Sequence, residues 1–134
     1  MQAELAEAIT HQLRVFVAAA STRRSLPTTV HVGQPAGEHV VLPEVDDQGL
    51  RTDLVVRAID GLVATDGACG WVTRGGEIGT TDLDAAWFAA SRAGFARHGL
   101  VLPAFAVVTR TAWLDLVSGE QRVWRRIRTR HRVA

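Results

Sequence analysis

The sequence contains no lysine, no tyrosine, no asparagine and a single cysteine, Cys69. Each absence removes a class of chemistry. Without lysine there is no Walker A loop, whose lysine reaches the β- and γ-phosphates of a nucleotide. There is no amine for imine chemistry, including that of pyridoxal phosphate, and no kinase or Ser–Lys hydrolase machinery. Without tyrosine there is no phenolic acid. Without asparagine, a Cys-His-Asn triad and asparagine readout of adenine both fall away. One cysteine excludes an intramolecular disulfide framework and a cysteine-based structural zinc cluster. Near the N-terminus the longest apolar run is Val15 to Ala20, far short of the roughly 20 residues that a membrane span needs. The opening Met1-Gln2-Ala3-Glu4 is acidic, whereas an export signal starts basic and then runs apolar. A cytoplasmic protein with no membrane association is expected.

What is present is ordinary in amount. The 134 residues are 47% apolar and 22% charged, which suits a single globular domain over residues 1–134. A chain of this size buries roughly two-thirds of its unfolded surface and needs no staple. The distribution of charge is less ordinary. All 15 basic residues are arginine; residues 1–121 carry a net charge of −5 and residues 122–134 a net charge of +6. Arg122, Arg125, Arg126, Arg128, Arg130 and Arg132 form that basic end, with His131 among them. Such asymmetry points to an anionic partner, or to a basic strand lying on the protein's own acidic body.

Hydrophobic spacing predicts a mixed α/β sheet with three helices in the order α-β-β-α-β-α-β-β-β. Leu5, Ile9, Leu13, Phe16 and Ala20 form one stripe of a helix over residues 3–20, which Ser25-Leu26-Pro27 ends. Thr28 to Val32 and Glu38 to Leu42 read as a β-hairpin around a five-residue Gly/Pro loop. After an acidic connector from Pro43 to Gly49, Leu54/Val55, Ala58/Ile59 and Leu62/Val63 mark a second helix, with Thr52 as its expected N-cap. Ala68 to Thr73 is a short strand. Thr81-Asp82-Leu83-Asp84 resembles a capping box for a third helix ending near Arg97, with Gly99 as its C-terminal cap. Ala104 to Val108 is the next strand. Trp113 to Val117 and Val123 to Arg130, around Ser118-Gly119-Glu120-Gln121, complete a C-terminal hairpin.

Two places draw attention as candidate sites. Val72-Thr73-Arg74 and Val108-Thr109-Arg110 share a Val-Thr-Arg ending at the carboxyl ends of two strands joined by the third helix. Such a β-α-β unit is expected to be parallel, and ligands of open α/β sheets bind at that edge. Arg74, Arg110, Thr80 and Thr81 would then form an anion site for phosphate or carboxylate. The competing arrangement pairs these arginines with Asp82, Asp84 or Asp115. The Gly75-Gly76-Glu77-Ile78-Gly79 loop lacks the dinucleotide-binding spacing, and no cofactor is expected. The second place is the C-terminal strand, where alternation sets Trp124, Arg126, Arg128 and Arg130 on one face. An aromatic ring beside guanidinium groups suits single-stranded nucleic acid or a protein partner, and equally suits charge protection of an edge strand.

Glu38, His39, Glu44, Asp46 and Asp47, with His31 across the hairpin, are the nearest approach to a carboxylate–imidazole metal group. The simpler reading is an acidic turn capping the second helix, and no metal is expected. Cys69 reads as a small buried hydrophobe. No catalytic motif is present. The leading expectation is a non-enzymatic binding or interaction protein that contacts itself as a homodimer, or another protein, with Trp113 and Trp124 marking the contact surface. The alternatives are an anion- or nucleotide-binding domain or enzyme at the Arg74/Arg110 edge, and a nucleic-acid-binding or nuclease-like domain using the C-terminal arginines.

Overall fold

The computed structural model describes residues 1–22 and 26–125. Its elements are α1 (Ala3–Ala20), β1 (Thr29–Gly33), β2 (His39–Leu42), α2 (Gln48–Asp60), β3 (Cys69–Thr73), α3 (Asp82–Arg97), β4 (Phe105–Val108), β5 (Ala112–Asp115) and β6 (Gln121–Val123). They build one six-stranded mixed sheet in the order β2-β1-β3-β4-β5-β6. The β3–β4 pair, joined through α3, is parallel, and the other neighbouring pairs are antiparallel. The expected α/β order and parallel β-α-β unit are therefore present.

Strand alternation divides the core between the two faces of the sheet. Val72 and Phe105 pack with Val55, Ile59, Trp87 and Phe95 of α2 and α3. Cys69, Trp71, Ala106, Val108 and Trp113 pack with Ala6, Ile9 and Leu13 of α1. The result is three layers, with α1 on one face and the α2–α3 pair on the other. Those two helices approach closely because Gly94 has no side chain. A Cβ built there would lie 2.5 Å from Cγ1 of Val55.

Several boundaries move for local reasons. The second helix starts at Gln48 and is capped by Asp47, whose Oδ1 accepts from the Leu50 amide at 2.7 Å. Thr52 is not the cap; it is buried inside the helix and donates back to the Gln48 carbonyl at 3.3 Å. The Thr81/Asp84 capping box is formed as expected, and Gly99 takes the positive φ of a helix C-terminus. The strand expected over Trp113 to Val117 ends at Asp115. There the buried carboxylate accepts from the amides of Phe105, Val117 and Ser118 and so turns the chain. The last described strand covers Gln121 to Val123, and residues 126–130 of the expected final strand lie outside the described residues. Among the described residues no helix is long and apolar enough to cross a membrane.

Candidate functional site

At the carboxyl ends of β3 and β4, strand register separates the two arginines. Val72 stands opposite Val107 and Thr73 opposite Val108. The two Val-Thr-Arg segments are thus offset by one residue, and a one-residue offset turns a side chain to the other face of a sheet. Arg74 enters the α3 layer and Arg110 the α1 layer. Arg74 is buried, and each of its five N–H groups has an acceptor. Nε and one Nη2 hydrogen reach the Asp84 carboxylate at 2.8–3.2 Å. The remaining hydrogens reach the carbonyls of Gly75, Glu77 and Gly79. The guanidinium therefore shapes the loop leading into α3. Thr81 shares the same carboxylate through its amide, whereas Thr80 is exposed. Arg110 is exposed and donates to the Ala20 carbonyl at 3.3 Å, where the α1 dipole is negative. Of the four residues proposed for an anion site, only Arg74 and Thr81 come together, around Asp84.

The described part of the C-terminal side, up to Trp124, also packs on the body of the protein. Trp113 is fully buried, with Nε1 donating to Thr10 Oγ1 at 3.0 Å, so it offers no contact surface. Arg122, the first arginine of the basic end, lies over the Trp113 ring and reaches Glu7 and Glu120. Trp124 is half-buried against the cluster under α1. Arg126, Arg128 and Arg130 lie outside the described residues.

No family model matches this chain, and neither a curated protein nor a solved structure matches it. The reading of its function rests on its own geometry.

That geometry singles out the opposite edge of the sheet. His31 sits between Val41 on β2 and Trp71 on β3 in cross-strand register. Its ring stacks on Trp71 at 5.1 Å with an interplanar angle of 3°, and His39 meets both rings edge-on. Gly33 makes room for this cluster: with φ +143, a Cβ there would fall 2.5 Å from the His39 Cα. The Thr73 hydroxyl is placed to donate to the Thr29 carbonyl while accepting from His31 Nε2 at 3.1 Å. Burial, with His39 beside it, pushes the His31 pKa down to about 4, so the ring is neutral at pH 7. His31 Nδ1 and Trp71 Nε1 are buried with no hydrogen-bond partner among the described residues. A groove of about 200 Å³ adjoins the cluster, lined by Phe16 and Ala19 of α1 and by Leu26, His31 and Thr73.

Beyond the cluster, Val41 is 55% exposed in an edge strand. The acids around β2 divide by role. Glu38 accepts from the Val63 amide and Asp47 caps α2. Glu44 and Asp46 are exposed, with no ionic or hydrogen-bonded partner among the described residues. No three His, Cys, Asp or Glu side chains among the described residues are grouped to hold a metal. At the start of β3, on the same face as Trp71, Cys69 is buried, and its thiol pKa is pushed up by burial and by Asp115; a thiolate nucleophile is disfavoured there. Sequence reading noted His31 and His39 across one hairpin. It missed Trp71 as the third ring, because that contact depends on which strand lies beside β1.

Proposed function

We propose that the chain acts by binding, as a self-interaction domain that receives an extended segment of a second copy of this chain at the outer edge of β2. The observation that carries this reading is Val41, more than half exposed at the centre of a four-residue edge strand. It stands in register with the His31–Trp71 stack. Edge strands are ordinarily guarded by a proline, a bulge or an inward charge, and His39-Val40-Val41-Leu42 contains neither proline nor a charged Lys, Arg, Asp or Glu. An added strand would satisfy the outward main-chain groups, and Val41 and His39 would supply side-chain contacts.

This reading keeps the leading expectation of a non-enzymatic binding protein and moves its surface from the C-terminal hairpin to the β2 edge. The anion-site alternative is weakened by the internal partners of Arg74, and nucleic-acid contact by the packing of Trp124. The test is a dilution series of the ¹⁵N-labelled chain from millimolar to micromolar, followed by amide chemical shifts. Concentration-dependent shifts centred on β2, absent from a Val41→Arg variant with an otherwise native spectrum, are expected. Shifts confined to another surface, or none, would overturn the reading.

A further inference from the structure

We infer that the segment received by β2 is arginine-rich, and specifically that it is the basic C-terminal stretch of a second copy of this chain; this rests on the interaction-domain reading above. Charge complementarity is the first argument. Glu44 and Asp46 follow directly on the open edge without partners among the described residues. Residues 125–134 carry five arginines and no acid. The body up to residue 121 has a net charge of −5, which adds a longer-range attraction.

Two other occupants fit less well. A symmetric antiparallel pairing of β2 with β2, centred on Val41, would set Glu38 of one copy directly opposite Glu44 of the other. Like charges facing each other across strands are destabilising. The same chain's own arginines start from the wrong place. β6 and β2 are at opposite edges of the sheet, five strand spacings or roughly 24 Å apart. Residues 126–134, even fully extended, span at most about 30 Å. Crossing the sheet would use nearly all of that length and leave too little to form a strand pair. A second copy has no such limit.

The experiment titrates the full chain into a fluorescently labelled synthetic peptide with the sequence of residues 125–134 and reads anisotropy at two salt concentrations. Saturable binding is expected, weaker at high salt. It should also weaken about three- to tenfold in the Glu44→Gln/Asp46→Asn chain, as loss of two exposed charge pairs implies. A Thr129→Pro peptide keeps every charge but cannot continue a ladder, and it should bind markedly less. Equal binding by the native and charge-neutralised chains, or by the native and proline peptides, would overturn the inference. If no peptide binds while dilution shifts still map to β2, the interaction edge stands and the arginine-rich occupant is wrong. If both measurements are blank, both readings fall.

Discussion

At the scale of single residues, the decisive facts are which face a side chain reaches and what it meets there. Arg74 and Arg110 end identical tripeptides, yet a one-residue offset between β3 and β4 sends them to opposite layers. Nothing in the local sequence carries that offset, because it depends on how two strands 36 positions apart align. The pairing of Arg74 with Asp84 was legible as a competing arrangement, because the carboxylate lies one helical turn into a visible capping box. His31 is the residue whose environment makes the clearest prediction. Its folded pKa of about 4 lies below the ordinary 6.5, so the unfolded chain takes up the proton first. Stability from this group is complete above pH 6.5 and is lost as pH falls from 6.5 towards 4. The full difference corresponds to about 3 kcal/mol. A His31→Phe variant keeps an aromatic ring on Trp71 and deletes the titration. Urea unfolding across that window should show a steeper loss in the native chain than in the variant. Parallel curves would show that another group governs the acid side.

At the scale of elements, the closest fit in the molecule is between α2 and α3. An alanine at position 94 would gain up to about 1 kcal/mol of helix propensity over glycine. Its methyl would also sit 2.5 Å from Val55 Cγ1 and 2.9 Å from Val55 Cβ, a stiff β-branched side chain. Overpacking wins, and Gly94→Ala should lose about 1–3 kcal/mol in denaturant unfolding. Val55→Ala in the same background should recover part of that loss; independent, additive penalties would contradict the close-approach account. The elements also show what sequence reading can reach. α1 and α3 were legible because an apolar stripe and a Thr81-to-Asp84 box mark them. The start of α2 was not, because its first turn, Gln48-Gly49-Leu50-Arg51, carries no apolar repeat. Its true cap, Asp47, was hidden among neighbouring acids. β5 was read too long because Val117 continues the apolar pattern, while Asp115 uses its carboxylate to bind the amides that turn the chain.

At the scale of the whole molecule, a β2 edge that receives another copy's C-terminal stretch is a head-to-tail contact, in which different surfaces meet. Such an interface closes into a dimer where two copies exchange their stretches reciprocally, and otherwise continues to a larger ring or an open chain. A dimer paired β2 to β2 would use one surface twice, and the two arrangements separate cleanly by mixing. A Val41→Arg chain keeps its arginines but loses its edge. An Arg126→Gln/Arg128→Gln/Arg130→Gln chain keeps its edge but loses its arginines. Neither should self-associate. An equal mixture should form a one-to-one dimer and stop there, because one intact edge meets one intact tail and no further pairing is available. Light scattering on separated fractions would read that mass directly. Raising the salt should dissociate the mixed dimer, since its charge pairs are exposed and screened. A mixture that stays monomeric while the native chain assembles would contradict the head-to-tail arrangement. The −5 body and the +6 end of one chain would then have to be explained without contact between copies at β2.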